Sequence, residues 1–187
     1  MLTDFTFRRT TLTLAAQSTE GLRIITLAGT SRGSPYITIA FYMGLVFDVV
    51  RKVEKTLSWK PLPTHVTQFS VNFPNMPGVS WQGSALLPVD LRSPSANVAT
   101  EVVGAVQAIA FPFFERLGAP TAAREAIASG SRLCFSGAPF WKQLFLLDCA
   151  LGQLSRYEEW STRLDGSRQR ESRDSITLAR KLIPDVG

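Results

Sequence analysis

Between residues 7 and 73 apolar and polar side chains alternate in four stretches, and this period of two constrains the fold more than any other feature of the chain. The cleanest stretch is 36–45. Ile37, Ile39, Phe41, Met43 and Leu45 fall on one side of a pleat, with Tyr36, Thr38, Ala40 and Tyr42 on the other. Successive strand side chains point to opposite faces, so the spacing makes one wholly apolar face and one mixed face. The sequence specifies an amphipathic sheet. No catalytic or cofactor motif sits at the ends of its strands.

Strand one is expected over 5–16, where Leu12, Leu14 and Ala16 alternate with Thr11, Thr13 and Ala15. A polar turn over 17–21 leads to strand two, 22–28, and 29–35 connects to strand three. Three strands so joined form an antiparallel meander. The period then changes. Phe47, Val50, Val53 and Leu57 follow helical spacing, with Arg51, Lys52, Glu54 and Lys55 opposite, which predicts a helix over 46–58 ended by Pro61 and Pro63. Strand four is expected over 65–73, and a fifth over 81–87, interrupted by Gly83.

Beyond residue 95 the chain reads as helical. A stripe of Val98, Val102, Val106, Ile109, Phe113 and Leu117 predicts a helix over 97–117. Pro112 lies inside it and is expected to kink or break it, at about 3 kcal/mol if the helix stays straight. A short helix over 122–129 closes at Gly130. Pro139 opens another, whose apolar stripe is interrupted by Asp148. Ser155 and Glu158 have capping-box spacing. A terminal helix over 174–183 follows a polar segment, 165–173, read as a mobile linker. The fold class is α+β, an antiparallel sheet of about five strands in the N-terminal half packed by C-terminal helices. A single domain spans 1–187: 1–90 mainly sheet with one helix, 95–165 helical, and 166–187 linker and terminal helix.

With 187 residues, 45% hydrophobic and 19% charged, the chain has the composition of an ordinary globular domain. Folding at that length buries roughly 70% of the surface the unfolded chain exposes, so one core suffices. The start lacks a basic segment followed by an apolar run, and the apolar runs 33–47 and 102–114 fall short of the roughly 18 residues a membrane helix needs. Cys134 and Cys149 are too few for a disulfide scaffold and are expected to be reduced, in a cytoplasmic protein. The net charge of +5 is concentrated in the first sixty residues, eight cations against Asp4, Glu20, Asp48 and Glu54. Such a face attracts an acidic partner, although a surplus of this size is commonly only a solvated surface.

The residues that carry chemistry do not assemble into a catalytic set. His65 is the one histidine, and no nucleophile motif accompanies it. A strand-edge polar role suits it better than a catalytic one. One histidine with two distant cysteines does not supply a zinc site, and no calcium loop is present. The segment 29–34 is glycine-rich but lacks the GK[ST] ending and precedes a strand, so it reads as a hairpin loop rather than a phosphate cradle. No cofactor or metal is expected. Tyr36 and Tyr42, with Trp81, are residue types that anchor interfaces. They equally suit a second hydrophobic layer beneath the helices.

Phe7-Arg8-Arg9, Tyr36-Ile37-Thr38-Ile39, Trp81, Phe111-Pro112-Phe113-Phe114-Glu115 and Ala150-Leu151-Gly152 carry a resemblance over about 5–165. The layout resembles a family of bacterial proteins of unknown function, some encoded near polymorphic toxins and suspected to be immunity proteins. The resemblance implies a sheet flanked by helices and a protein-binding role, carries no catalytic residues, and has no counterpart for the Arg/Ser-rich tail after Asp165. The leading expectation is a non-catalytic protein-binding module, in its narrowest form one that neutralises a toxin. Its candidate partner-binding residues are Tyr36, Thr38, Tyr42, His65, Trp81 and Arg23. The alternative is a small-molecule-binding protein or enzyme with a pocket between sheet and helices around His65, Arg23 or Asp90. Nucleic-acid binding is the weakest of the three.

Overall fold

The computed structural model describes residues 4–8, 13–30, 36–59, 69–72, 87–90, 97–130 and 140–183. Among these residues six strands form a sheet: β1 (Thr6–Arg8), β2 (Thr13–Ser18), β3 (Gly21–Thr30), β4 (Tyr36–Phe47), β5 (Phe69–Asn72) and β6 (Leu87–Asp90). The order is β1-β2-β3-β4-β5, with β6 also on β4, and every pairing is antiparallel. β4 is the spine. One edge pairs with β3 along its length, and the other is shared between β6 at Tyr36–Ile39 and β5 at Tyr42–Leu45.

The α+β class and the antiparallel sheet agree with the sequence; the strand count does not. The stretch expected as one strand over 5–16 holds two, β1 and β2, paired with Phe7 opposite Leu14. The alternation of Leu14 and Ala16 against Thr13 and Ala15 belongs to β2 alone. Of the fifth strand expected over 81–87, residues 81–86 fall outside the described ones, and Leu87 begins β6.

Among the described residues six helices follow or interleave: α1 (Asp48–Thr56), α2 (Asn97–Leu117), α3 (Pro120–Ala128), α4 (Phe140–Ala150), α5 (Leu154–Ser161) and α6 (Gly166–Leu182). α2 runs unbroken through Pro112, whose ring stands on the exposed side while Ile109, Ala110, Phe113, Phe114 and Leu117 are buried. α4 ends in a Schellman arrangement: the Gly152 N–H donates to the Cys149 carbonyl and the Gln153 N–H to that of Asp148. Gly152 supplies the left-handed turn at φ +64°. α5 therefore starts at Leu154, with Gln153 as N-cap and no side-chain cap, so Ser155 lies inside the helix and its capping box does not form.

The segment read as a linker over 165–173 is helical. The Asp165 carboxylate caps α6 by accepting from the Arg168 N–H, and Ser172, Ile176 and Ala179 turn one stripe inward. The Ser172 hydroxyl donates to the buried Tyr157 phenol at 3.0 Å and ties α6 to α5.

Buried residues from sheet and helices form one cluster. Ile25, Met43, Leu45 and Phe47 supply its sheet side and α4 its centre, with Leu144, Phe145 and Leu147 fully enclosed. α4 packs against α1, α3 and α5, and the Phe145 ring meets Tyr157 edge-on at 5.1 Å.

Candidate functional site

β-sheet register fixes which candidate residues share a face. Tyr36, Thr38 and Tyr42 lie on one face of β4, and Arg23, opposite Leu45 on β3, lies on the other. Its guanidinium reaches the last turn of α2, 5.9 Å from the centre of the Phe114 ring, and its Nε is buried without a hydrogen-bond partner. Asp90 pairs with Tyr36, toward the other end of β4 from the Arg23–Leu45 pair. His65 and Trp81 lie outside the described residues. The tyrosine face is not open throughout. Ile24, Val46 and Thr13 share it and are buried, at 2%, 1% and 4% exposure.

The strongest polar cluster is internal. Asp148, the residue that interrupts the apolar stripe of α4, is fully buried and receives two hydrogen bonds from Arg124 of α3, Nε to Oδ1 at 2.8 Å and Nη2 to Oδ2 at 3.2 Å. Burial pushes the Asp148 carboxyl above its usual range against the pull of Arg124, whose own pKa the same hydrogen bond raises. Arg156 of α5 joins from outside, bonding Glu125 at 2.7 Å and Gln153 at 2.8 Å, and holds the Glu125 carboxyl below its usual range. This cluster clamps three helices together and leaves no room for a substrate at Asp148.

An accessible site lies where α1, α4 and the end of α6 meet. Asp48 begins α1 with acidic charge in its first turn, and Val50, Val53 and Leu57 bury its core side. Val49, Lys52, Val53 and Thr56, spaced at helical intervals, are left to face a groove of about 360 Å³. Cys149 and Ala150 form its α4 wall, and Leu182 with Ile183 its α6 wall. The floor is apolar and Leu182 stands 39% exposed. Of the polar groups, the Thr56 hydroxyl donates to the Lys52 carbonyl at 3.0 Å, leaving the Lys52 ammonium as the one charge in the lining.

Cys149 is not poised for reaction. Burial, helped by the Asp148 charge, pushes its thiol up to about 12, so almost none is thiolate at neutral pH. Alkylation with iodoacetamide at pH 8, read at Cys149 by peptide mapping, is expected to run at least about a hundredfold slower in the folded protein than in urea. Labelling at comparable rates would show an open, ionisable thiol. Because the folded value exceeds the unfolded one of roughly 8.5, the stability tied to this thiol is complete below that pH and is lost as pH rises toward 12. The stability gap between wild type and Cys149→Ala is therefore expected to narrow over that interval.

The sequence reading missed this groove. Its two available signals are Val49, an apolar residue beside the main stripe of α1, and the Leu182-Ile183 pair ending a basic helix. Among the described residues no group of three metal-ligating side chains occurs, and no described helix is long and apolar enough to cross a membrane. The chain matches no family model, no curated protein and no solved structure.

Proposed function

We propose that the chain is a non-catalytic protein-binding module. The observation that carries this reading is the groove between α1, α4 and α6, which offers apolar contact, one ammonium and a protonated thiol. Such a lining supplies burial and orientation, and it contains no base or activated nucleophile for chemistry. An exposed Leu182 on its wall is the kind of apolar feature a partner covers. Toxin neutralisation is the narrower form of the reading, and it rests on the sequence resemblance alone.

Pull-down from the native host with wild type and Thr56→Trp in parallel tests the reading. The indole fills the groove from an exposed position on α1. A stoichiometric protein retained by wild type and lost by the variant is the expected result. Recovery of the same proteins by both, or of none by either, removes it.

A further inference from the structure

We infer that the groove receives an acidic segment of a partner protein, anchored by one or two apolar side chains. This inference rests on the protein-binding reading and adds the chemistry of the partner. The volume of about 360 Å³ sets the number of anchors, since it holds side chains rather than a folded surface. The charges around it set the sign. Lys52 is in the lining, Lys55 and Arg51 stand on the solvent side of the same helix, and Lys181 adjoins Leu182 on the opposite wall.

Among the described residues acidic groups are scarce there. Asp48, one turn before Lys52 on α1, is the one exposed acid of that helix and Glu54 is buried, while Arg180 is already paired with Glu158. α1, α4 and α6 all end at the groove, and helix C-termini carry partial negative charge. α4 has no basic residue in its last turn, but each end carries only about half a charge, so the three full charges of Lys52, Lys55 and Lys181 exceed the three ends together. An extended or helical segment that places carboxylates over Lys52 and Lys181 and a leucine- or phenylalanine-sized group against Val53 and Ala150 satisfies both features. Complementary charge of this kind fixes partner choice and speeds encounter, and it weakens with salt.

Selection of phage-displayed random dodecapeptides against the full chain tests the inference. Enriched peptides are expected to carry Asp or Glu flanking an apolar anchor. A synthetic representative should lose about tenfold in affinity on Lys52→Glu and on raising NaCl from 50 to 500 mM. Both Thr56→Trp and the surface change Leu182→Ser should weaken it by at least about tenfold with the thermal melt retained, the second guarding against misfolding of the first. Neutral or basic peptides that these two variants release would overturn the acidic partner and leave the protein-binding groove standing. If no enriched peptide responds to either variant, the inference and the reading beneath it fall together.

Discussion

Replacing Arg124 by methionine is expected to destabilise the protein by about 3–5 kcal/mol at pH 7.5, the usual loss when one member of a buried ion pair is removed. The size follows from Asp148, which is fully buried and has both carboxylate oxygens bonded by Arg124. Methionine matches the aliphatic stem of arginine but leaves the carboxylate desolvated and uncompensated. Its folded pKa then rises further above the unfolded value of roughly 3.9. A raised carboxyl pKa contributes stability that is complete below the unfolded value and lost as pH rises through the folded one. The deficit of Arg124→Met is therefore largest near neutrality and shrinks on acidification. Urea melts at pH 5 and pH 7.5 measure it. Arg124→Met/Asp148→Leu removes both charges and should recover most of the loss. A single-variant loss below about 1 kcal/mol at both pH values would mean that the pair is solvated, since exposed pairs contribute no more than that. The outer Glu125–Arg156 contact is such an exposed pair, and its removal should be nearly silent.

The same pair marks the limit of what the sequence discloses. Asp148 is visible as a break in an apolar stripe, but its partner lies 24 residues earlier on another helix, where an arginine reads as surface. The local elements are legible where one period dominates. The alternation of β3 and β4 makes the strands legible and puts Ile25, Met43 and Leu45 in the main core cluster, but it does not disclose that Ile24, Gly44 and Val46 on the opposite face are buried as well. The β1–β2 hairpin is not legible, because residues 9–12 contain no glycine, proline or asparagine to punctuate it. α6 is hidden by composition. Arginine and serine suggest a solvated linker, yet Ser172, Ile176 and Ala179 at intervals of four and three residues dock it against the core. The groove is hidden for a topological reason, since its walls come from residues 49–56, 149–150 and 182–183, which no local pattern connects.

Gly21→Ala is the second large effect expected, at about 3 kcal/mol or more, the range of a substitution that combines backbone strain with a clash. Gly21 ends the β2–β3 turn at φ +139°, which side chains rarely tolerate. A β-carbon there would stand 2.0 Å from the Val46 carbonyl oxygen, and backbone rather than a flexible side chain would have to give way. The neighbouring Glu20 carbonyl accepts the Asp48 N–H at 3.0 Å, so the turn is fastened to the junction where β4 becomes α1. Moving it displaces the start of the helix that carries Val49, Lys52 and Thr56 into the groove. Loss of stability and loss of groove-dependent binding are thus expected together. Gly152→Ala is the control, with a positive φ of +64° but nothing within 4 Å of the new methyl group. It should cost only the left-handed backbone penalty of about 1–2 kcal/mol. Thermal melts of the two variants separate strain from collision. If Gly21→Ala is no worse than Gly152→Ala, the hairpin turn does not press against Val46, and α1 is positioned by its core side alone.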